Sequence, residues 1–182
     1  MPTLARTYLD TPLGEMLALA SDNGLSALEF DRERHDRLAA RLRRWFPSDH
    51  IEDRETPILA RTREWLAAYF EGRIGTAADL PLDMRGGSFE LRVWAAIREI
   101  PIGETTSYGT IAMNLGSPGA SRAVGAANGA NPIAIIVPCH RVIGASGSLT
   151  GYGGGLVRKT WLLDHERRCL HARYSAGLSA PQ

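Results

Sequence analysis

Three short stretches near the N-terminus, 7–10, 15–20 and 25–30, carry continuous or alternating apolar positions. Runs of that length and period read as strands. Thr11-Pro12-Leu13-Gly14 and Asp22-Asn23-Gly24 separate them with turn-forming residues. A small antiparallel sheet is predicted. The period then becomes helical. Leu38, Leu42 and Trp45-Phe46 repeat on one face, with Arg41, Arg43 and Arg44 opposite. A second helix starts at Pro57, a residue suited to a first turn, and passes Leu59, Trp65-Leu66 and Tyr69-Phe70 before Gly72 stops it. Residues 73–87 hold Gly75, Pro81, Gly86 and Gly87 and read as a linker.

Helical spacing resumes after the linker. Ser88 can cap a helix with Phe89, Val93-Trp94 and Ile97 on one face, ended by Pro101 and Gly103. Thr106 or Ser107 can cap a short helix from Tyr108 to Leu115, stopped by Gly116. Ser117-Pro118-Gly119 makes a turn, and a third helix covers 120–129. Helix, short turn, helix is the pattern of a helix-turn-helix. The apolar run Ile133-Ala134-Ile135-Ile136-Val137 reads as a buried strand or extended segment. A final helix is expected from Lys159 to Arg167. The expected division is an N-terminal α/β domain over 1–80, a C-terminal domain over 81–174, and a disordered tail over 175–182.

The 182 residues suffice for one large domain or two small ones, with a hydrophobic content of 44% ordinary for a soluble globular protein. Net charge is only +1, so the total does not announce a nucleic-acid partner. Its distribution says more. Residues 1–85 carry 12 basic and 15 acidic side chains, and residues 86–182 carry 9 and 5. The basic half suits phosphate contact. The Arg41, Arg43 and Arg44 cluster is either a DNA patch or a solvated helix face. No N-terminal apolar leader and no membrane-length apolar run occur, which makes a cytoplasmic protein with no membrane partner the expectation. Cys139 and Cys169 form no disulfide framework, and no paired-cysteine zinc spacing exists. No metal is therefore expected, with His165, Cys169 and His171 read as solvated helix-end residues.

The candidate chemistry sits at Pro138-Cys139-His140-Arg141. The apolar run delivers one thiol to its end, beside an imidazole. A nearby base or cation favours the thiolate. A buried, inert cysteine is the alternative, and the flanking residues weigh against it. The third helix is nearly bare, with Ala123, Gly125, Ala126, Ala127, Gly129 and Ala130. A major-groove reader needs long polar side chains. A smooth helix fits a narrow minor groove, or packs closely inside the protein; opposite faces can do both.

The segment from Asn131 through Pro138-Cys139-His140-Arg141-Val142-Ile143 resembles the active site of the O6-alkylguanine-DNA alkyltransferases. Phe89 to Trp94, Ile100 to Tyr108, Ser121 to Ala127, and Gly151 to Leu156 with Lys159, Leu162-Leu163 and Glu166 resemble other blocks of that family in the same order. The similarity covers roughly residues 80–167 and is loose before that. It implies a mixed α/β (α+β) fold, with a small ribonuclease-H-like sheet-plus-helix domain followed by a helix-turn-helix (winged-helix-like) catalytic domain.

The resemblance further implies single-use transfer of an alkyl group from O6-alkylguanine, less firmly O4-alkylthymine, in double-stranded DNA to Cys139. His140 would act through water as base, and Glu166 would orient it. Tyr108 would donate to guanine N3, and Asn131 would hold the active-site turn. Arg122 would fill the gap left by a flipped nucleotide, an extrusion such chemistry requires. Thr106, Ser107, Ala123, Ala126 and Ala127 would join Arg122 and Tyr108 at the minor groove. Val142, Tyr152, Gly153 and Gly154 would line the pocket. Gly153 departs from relatives with serine there, which implies a roomier wall and tolerance of alkyl groups larger than methyl. Arg141 reads as an ion-pair partner. A monomer is implied, with cooperative binding along DNA left open. The competing readings are a lesion-recognition module, which would lack the cysteine, a helix-turn-helix regulator, and a cysteine hydrolase, for which no oxyanion-hole motif is evident.

Overall fold

The computed structural model describes residues 3–30, 35–46, 50–73, 79–175 and 177. Gly75 of the expected linker, the side chain of Leu38 and nearly all of the expected tail lie outside the described residues. The chain forms two compact units, Met1–Gly86 with Pro132–Ala134, and Gly87–Asn131 with Ile135–Gln182.

In the first unit the three expected strands form as β1 (Thr3–Leu9), β2 (Met16–Ser21) and β3 (Gly24–Phe30). They pair antiparallel in the order β3-β2-β1. Helix α1 (His35–Trp45) then carries the chain to β4 (His50–Asp53), which pairs parallel to β1. The expected antiparallel sheet thus forms from the three strands, and β4 is an addition that the sequence pattern does not predict. All four β4 side chains are exposed, so His50-Ile51-Glu52-Asp53 lacks the apolar alternation that marks a strand. Leu4, Leu17, Leu19, Ala27, Leu42 and Phe46 form one apolar cluster. Each large side chain buried there contributes about 1.5–3 kcal/mol. Helix α2 (Pro57–Phe70) begins under a Thr56 hydroxyl that accepts from the Leu59 N–H (3.2 Å).

The outer edge of β3 is occupied by two separate segments. Leu25 exchanges backbone hydrogen bonds with Pro81 and Asp83, and Leu28 with Pro132 and Ala134. Gly24 is required there, because a Cβ would lie 2.7 Å from the Pro81 carbonyl.

The second unit opens with α3 (Ser88–Arg98). Ser88 is its first residue rather than its cap. Gly87 caps it, with the Gly87 N–H donating to the Glu90 carboxylate (2.8 Å). Two-residue strand β5 (Thr106–Ser107) leads into α4 (Tyr108–Asn114), and Ser107, not Thr106, is the cap. A turn and α5 (Ser121–Gly129) complete the helix-turn-helix. Trp94 of α3 is buried against α5 and donates its indole N–H to the Ala127 carbonyl (2.8 Å). Strand β6 (Val142–Ile143) pairs parallel with β5. Helix α6 (Leu156–Ser175) starts three residues earlier and runs eight residues further than expected. No described helix is long and apolar enough to cross a membrane.

The run 133–137 does not form the expected strand. Only Ile133 makes a bridge, to Leu28, and Ile135 turns left-handed at φ +70°. The composition is that of a strand, but the backbone must reverse there, and tertiary context overrides propensity.

Candidate active site

Pro138 sets the local geometry of Cys139. Its φ and ψ of −81° and 63° make an inverse γ-turn, closed by the Cys139 N–H donating to the Val137 carbonyl (2.7 Å). Cys139, His140 and Arg141 then form one turn of 3-10 helix, all three buried. Two amides hold the turn. Asn131 Nδ2 donates to the Val137 carbonyl (2.8 Å), and Asn128 Nδ2 to the Cys139 carbonyl (3.4 Å). Cys139 is not in a disulfide.

His140 is fully buried, and its Nε2 lies 2.8 Å from Glu166 Oε1. Glu166 comes from α6, 26 residues on, and is also fully buried. Its oxygens are saturated: Oε1 also accepts from Arg141 Nη2 (2.8 Å), and Oε2 from Arg141 Nε (2.9 Å) and the Gly103 N–H (3.0 Å). Burial alone would raise the Glu166 pKa. The hydrogen bonds and charges of His140 and Arg141 overcome it and hold the carboxyl well below the usual range. Burial lowers the His140 pKa, although the Glu166 contact opposes this, so the ring is neutral at neutral pH. Arg141 therefore supplies the permanent charge that keeps Glu166 ionised. An ionised carboxylate only accepts, so Nε2 carries the proton and Nδ1 holds a lone pair. That Nδ1 is buried with no hydrogen-bond partner within the protein. The triplet is thus a base oriented by an acceptor, with its free lone pair directed away from Glu166.

Tyr108, at the start of α4, donates its hydroxyl to the Thr150 carbonyl (3.1 Å). Burial raises its pKa, so it stays a donor at neutral pH. In the sequence Lys159 is the expected start of the final helix and part of one of the resembling blocks. It is fully buried, and its ammonium donates to the carbonyls of Val142 (2.6 Å) and Thr150 (2.8 Å). Burial lowers its pKa, and the charge of Cys139 opposes the shift. A cation that Cys139 affects in this way favours the thiolate reciprocally. Lysines are seldom fully buried unless paired, and sequence alone gave no sign of this one's burial.

Val142 is buried in β6, Tyr152 stands edge-on to His140 with ring centroids 6.5 Å apart, Gly153 is exposed and Gly154 is half-buried. On α5, Arg122, Ala123 and Ala126 are exposed. Ala127 is buried and leaves a duplex almost no surface to touch, so its expected place on the DNA face is corrected. The positions 124, 127 and 128 share one helix face and are all buried, a period visible in the sequence. Thr106 and Ser107 are half-buried, and the Ser107 hydroxyl is engaged as a cap by the Thr110 N–H (3.0 Å). His165 and Cys169 approach within 3.7 Å on α6, while His171 is exposed.

A family model described as 6-O-methylguanine DNA methyltransferase, DNA binding domain, matches residues 88–168. A second, the ribonuclease-like domain of the same methyltransferase, matches residues 4–84. A methylated-DNA–protein-cysteine methyltransferase of Mycolicibacterium paratuberculosis is 66% identical over 105 residues, which cover 58% of this chain and 63% of that protein. The match thus spans less than two thirds of that relative's length. One of the same name from Salmonella typhimurium is 43% identical over 167 residues, covering 91% of this chain and 97% of that protein. The crystal structure of Mycobacterium tuberculosis OGT in complex with DNA superposes with a TM-score of 0.72 at 44% identity, covering 89% of this chain and 92% of that one.

Proposed function

The chain belongs to the 6-O-methylguanine DNA methyltransferase family, and from that premise we propose that it repairs alkylated DNA by direct, single-use transfer to Cys139. The observation that carries the reading is the buried His140, next to Cys139 in the chain, bonded through Nε2 to Glu166 and keeping a buried Nδ1 with no hydrogen-bond partner within the protein. A neutral imidazole held this way accepts the thiol proton through one water. Lys159 stabilises the resulting thiolate. The sulfur attacks the alkyl carbon of O6-alkylguanine in line with the C–O bond. An S–C bond forms, the C–O bond breaks, and the electron pair leaves with O6. The Tyr108 hydroxyl offsets the charge that develops on the base. The product thioether has no low-energy route back to thiol, so each molecule acts once. No cofactor enters the reaction.

DNA is the partner this reading requires. The exposed small residues Ala123 and Ala126 beside Arg122 support a minor-groove approach with little base reading. Arg122 enters the stack as the damaged nucleotide is flipped out. The protein acts as a monomer; a sigmoidal titration on long duplexes would instead reveal cooperative binding. Incubation with a duplex carrying one O6-methylguanine, followed by intact mass and a peptide map, tests the reading. It expects one added methylene on the Cys139 peptide and none in Cys139→Ser. Lesion binding without mass gain would leave a recognition module; loss of both would remove the DNA reading.

A further inference from the structure

Ile135 has a left-handed backbone, at φ +70°, among the described non-glycine residues the one with positive φ. For a β-branched side chain this region is sterically costly, and such a conformation persists only where its surroundings hold it. Ile135 lies four residues before the nucleophile and is 1% exposed. Two residues on, the Val137 carbonyl accepts from both Asn131 Nδ2 and the Cys139 N–H. The segment from Asn131 to Val137 is thus closed into a loop, with Ile135 at its turn. A glycine would make that reversal without strain. An isoleucine makes it with a side chain locked in the core, so the turn cannot relax without expelling a buried residue.

We infer that Ile135 is a positioning residue for alkyl transfer, its strained left-handed turn fixing where the Cys139 γ-turn presents the thiol. Misplacing a reacting atom by about 1 Å can cost about 100-fold in rate. The inference rests on the alkyl-transfer reading, and its test separates the two.

The experiment is single-turnover transfer from an O6-methylguanine duplex, followed across protein concentration for wild type, Ile135→Val, Ile135→Ala and Ile135→Gly. Three quantities are read: the plateau rate constant, the half-saturating concentration, and the reacted amplitude. Valine keeps the β-branch and most of the packing, and should retain the plateau within about twofold. Alanine and glycine should lower the plateau by about 10- to 100-fold while the half-saturating concentration stays unchanged. A purely structural role would instead lower the amplitude, the folded fraction, and leave the plateau of the remaining molecules intact. That result overturns the inference, as does a folded glycine or alanine variant with a wild-type plateau. Failure of both to fold overturns it too, since Ile135 would then be a core residue only. An unreactive wild type would remove the alkyl-transfer reading itself.

Discussion

Glu166→Gln is the sharpest perturbation of the site. The carboxylate accepts four hydrogen bonds, from His140, from Arg141 twice, and from Gly103. Every partner is a donor. An amide replaces one acceptor oxygen by an NH2 group, so two donors lose their acceptor whichever way it is turned. Hydrogen bonds to charged groups are worth about 1.5–3 kcal/mol each, and breaking a buried ion pair costs about 3–5 kcal/mol. The two routes agree on a loss of about 3–5 kcal/mol at pH 7, against a total stability of about 5–15 kcal/mol. Urea unfolding by circular dichroism reads it. In molecules that remain folded, His140 loses its orienting acceptor, and transfer should slow by about 100-fold or more.

The pH dependence supplies a separate check. His140 is held below its ordinary value of 6.5 by burial, so the unfolded chain takes up a proton that the folded one resists. Stability is therefore full above 6.5 and falls as pH drops below it. Glu166 is held below its ordinary 4.5, so a second loss begins as pH falls below 4.5. The glutamine variant cannot titrate at position 166. It should keep the first loss and lack that residue's share of the second. A variant as stable as wild type at pH 7, or one with an unchanged acid limb below 4.5, would refute the account of Glu166 as a saturated, ionised hub.

Lys159→Met keeps the buried stem and removes the charge, so the pH midpoint for Cys139 alkylation by iodoacetamide should rise, and an unchanged midpoint would refute a thiolate-stabilising role for Lys159. Arg122→Ala should slow transfer from a lesion duplex by about tenfold or more while leaving transfer from free O6-benzylguanine unchanged, because only the duplex requires flipping. Gly153→Ser should narrow the pocket and lower the ratio of O6-benzylguanine to O6-methylguanine rates in competition assays.

The sequence made legible whatever depended on local period. Val93, Trp94 and Ile97 recur on one face of α3 and are all buried, and Pro57 and Gly72 mark the limits of α2 as their chemistry requires. Strand β4 was invisible because its pairing with β1 is a tertiary event on four exposed residues. The start of α6 was hidden by the glycines just before it, since only the left-handed Gly155 (φ +87°) shows where the helix begins. Cys139 and His140 could be singled out by their neighbours. Arg141 could be read as an ion-pair partner, but not the Gly103 N–H, which reaches Glu166 only through the fold.

Two residues show where local reading fails for a physical reason. Lys159 is the chain's one lysine, and a lysine in sequence reads as a solvated charge. Its burial depends on two backbone carbonyls, Val142 and Thr150, that no propensity encodes. Ile135 is the stronger case. Isoleucine raises strand propensity, so the run 133–137 reads more like a strand because of the residue that turns it. The same stiffness that misleads the sequence reading resists relaxation of the turn once the side chain is buried. Local preference and global fold conflict here, four residues before the thiol, in the region where natural sequences tolerate such conflict because function depends on it.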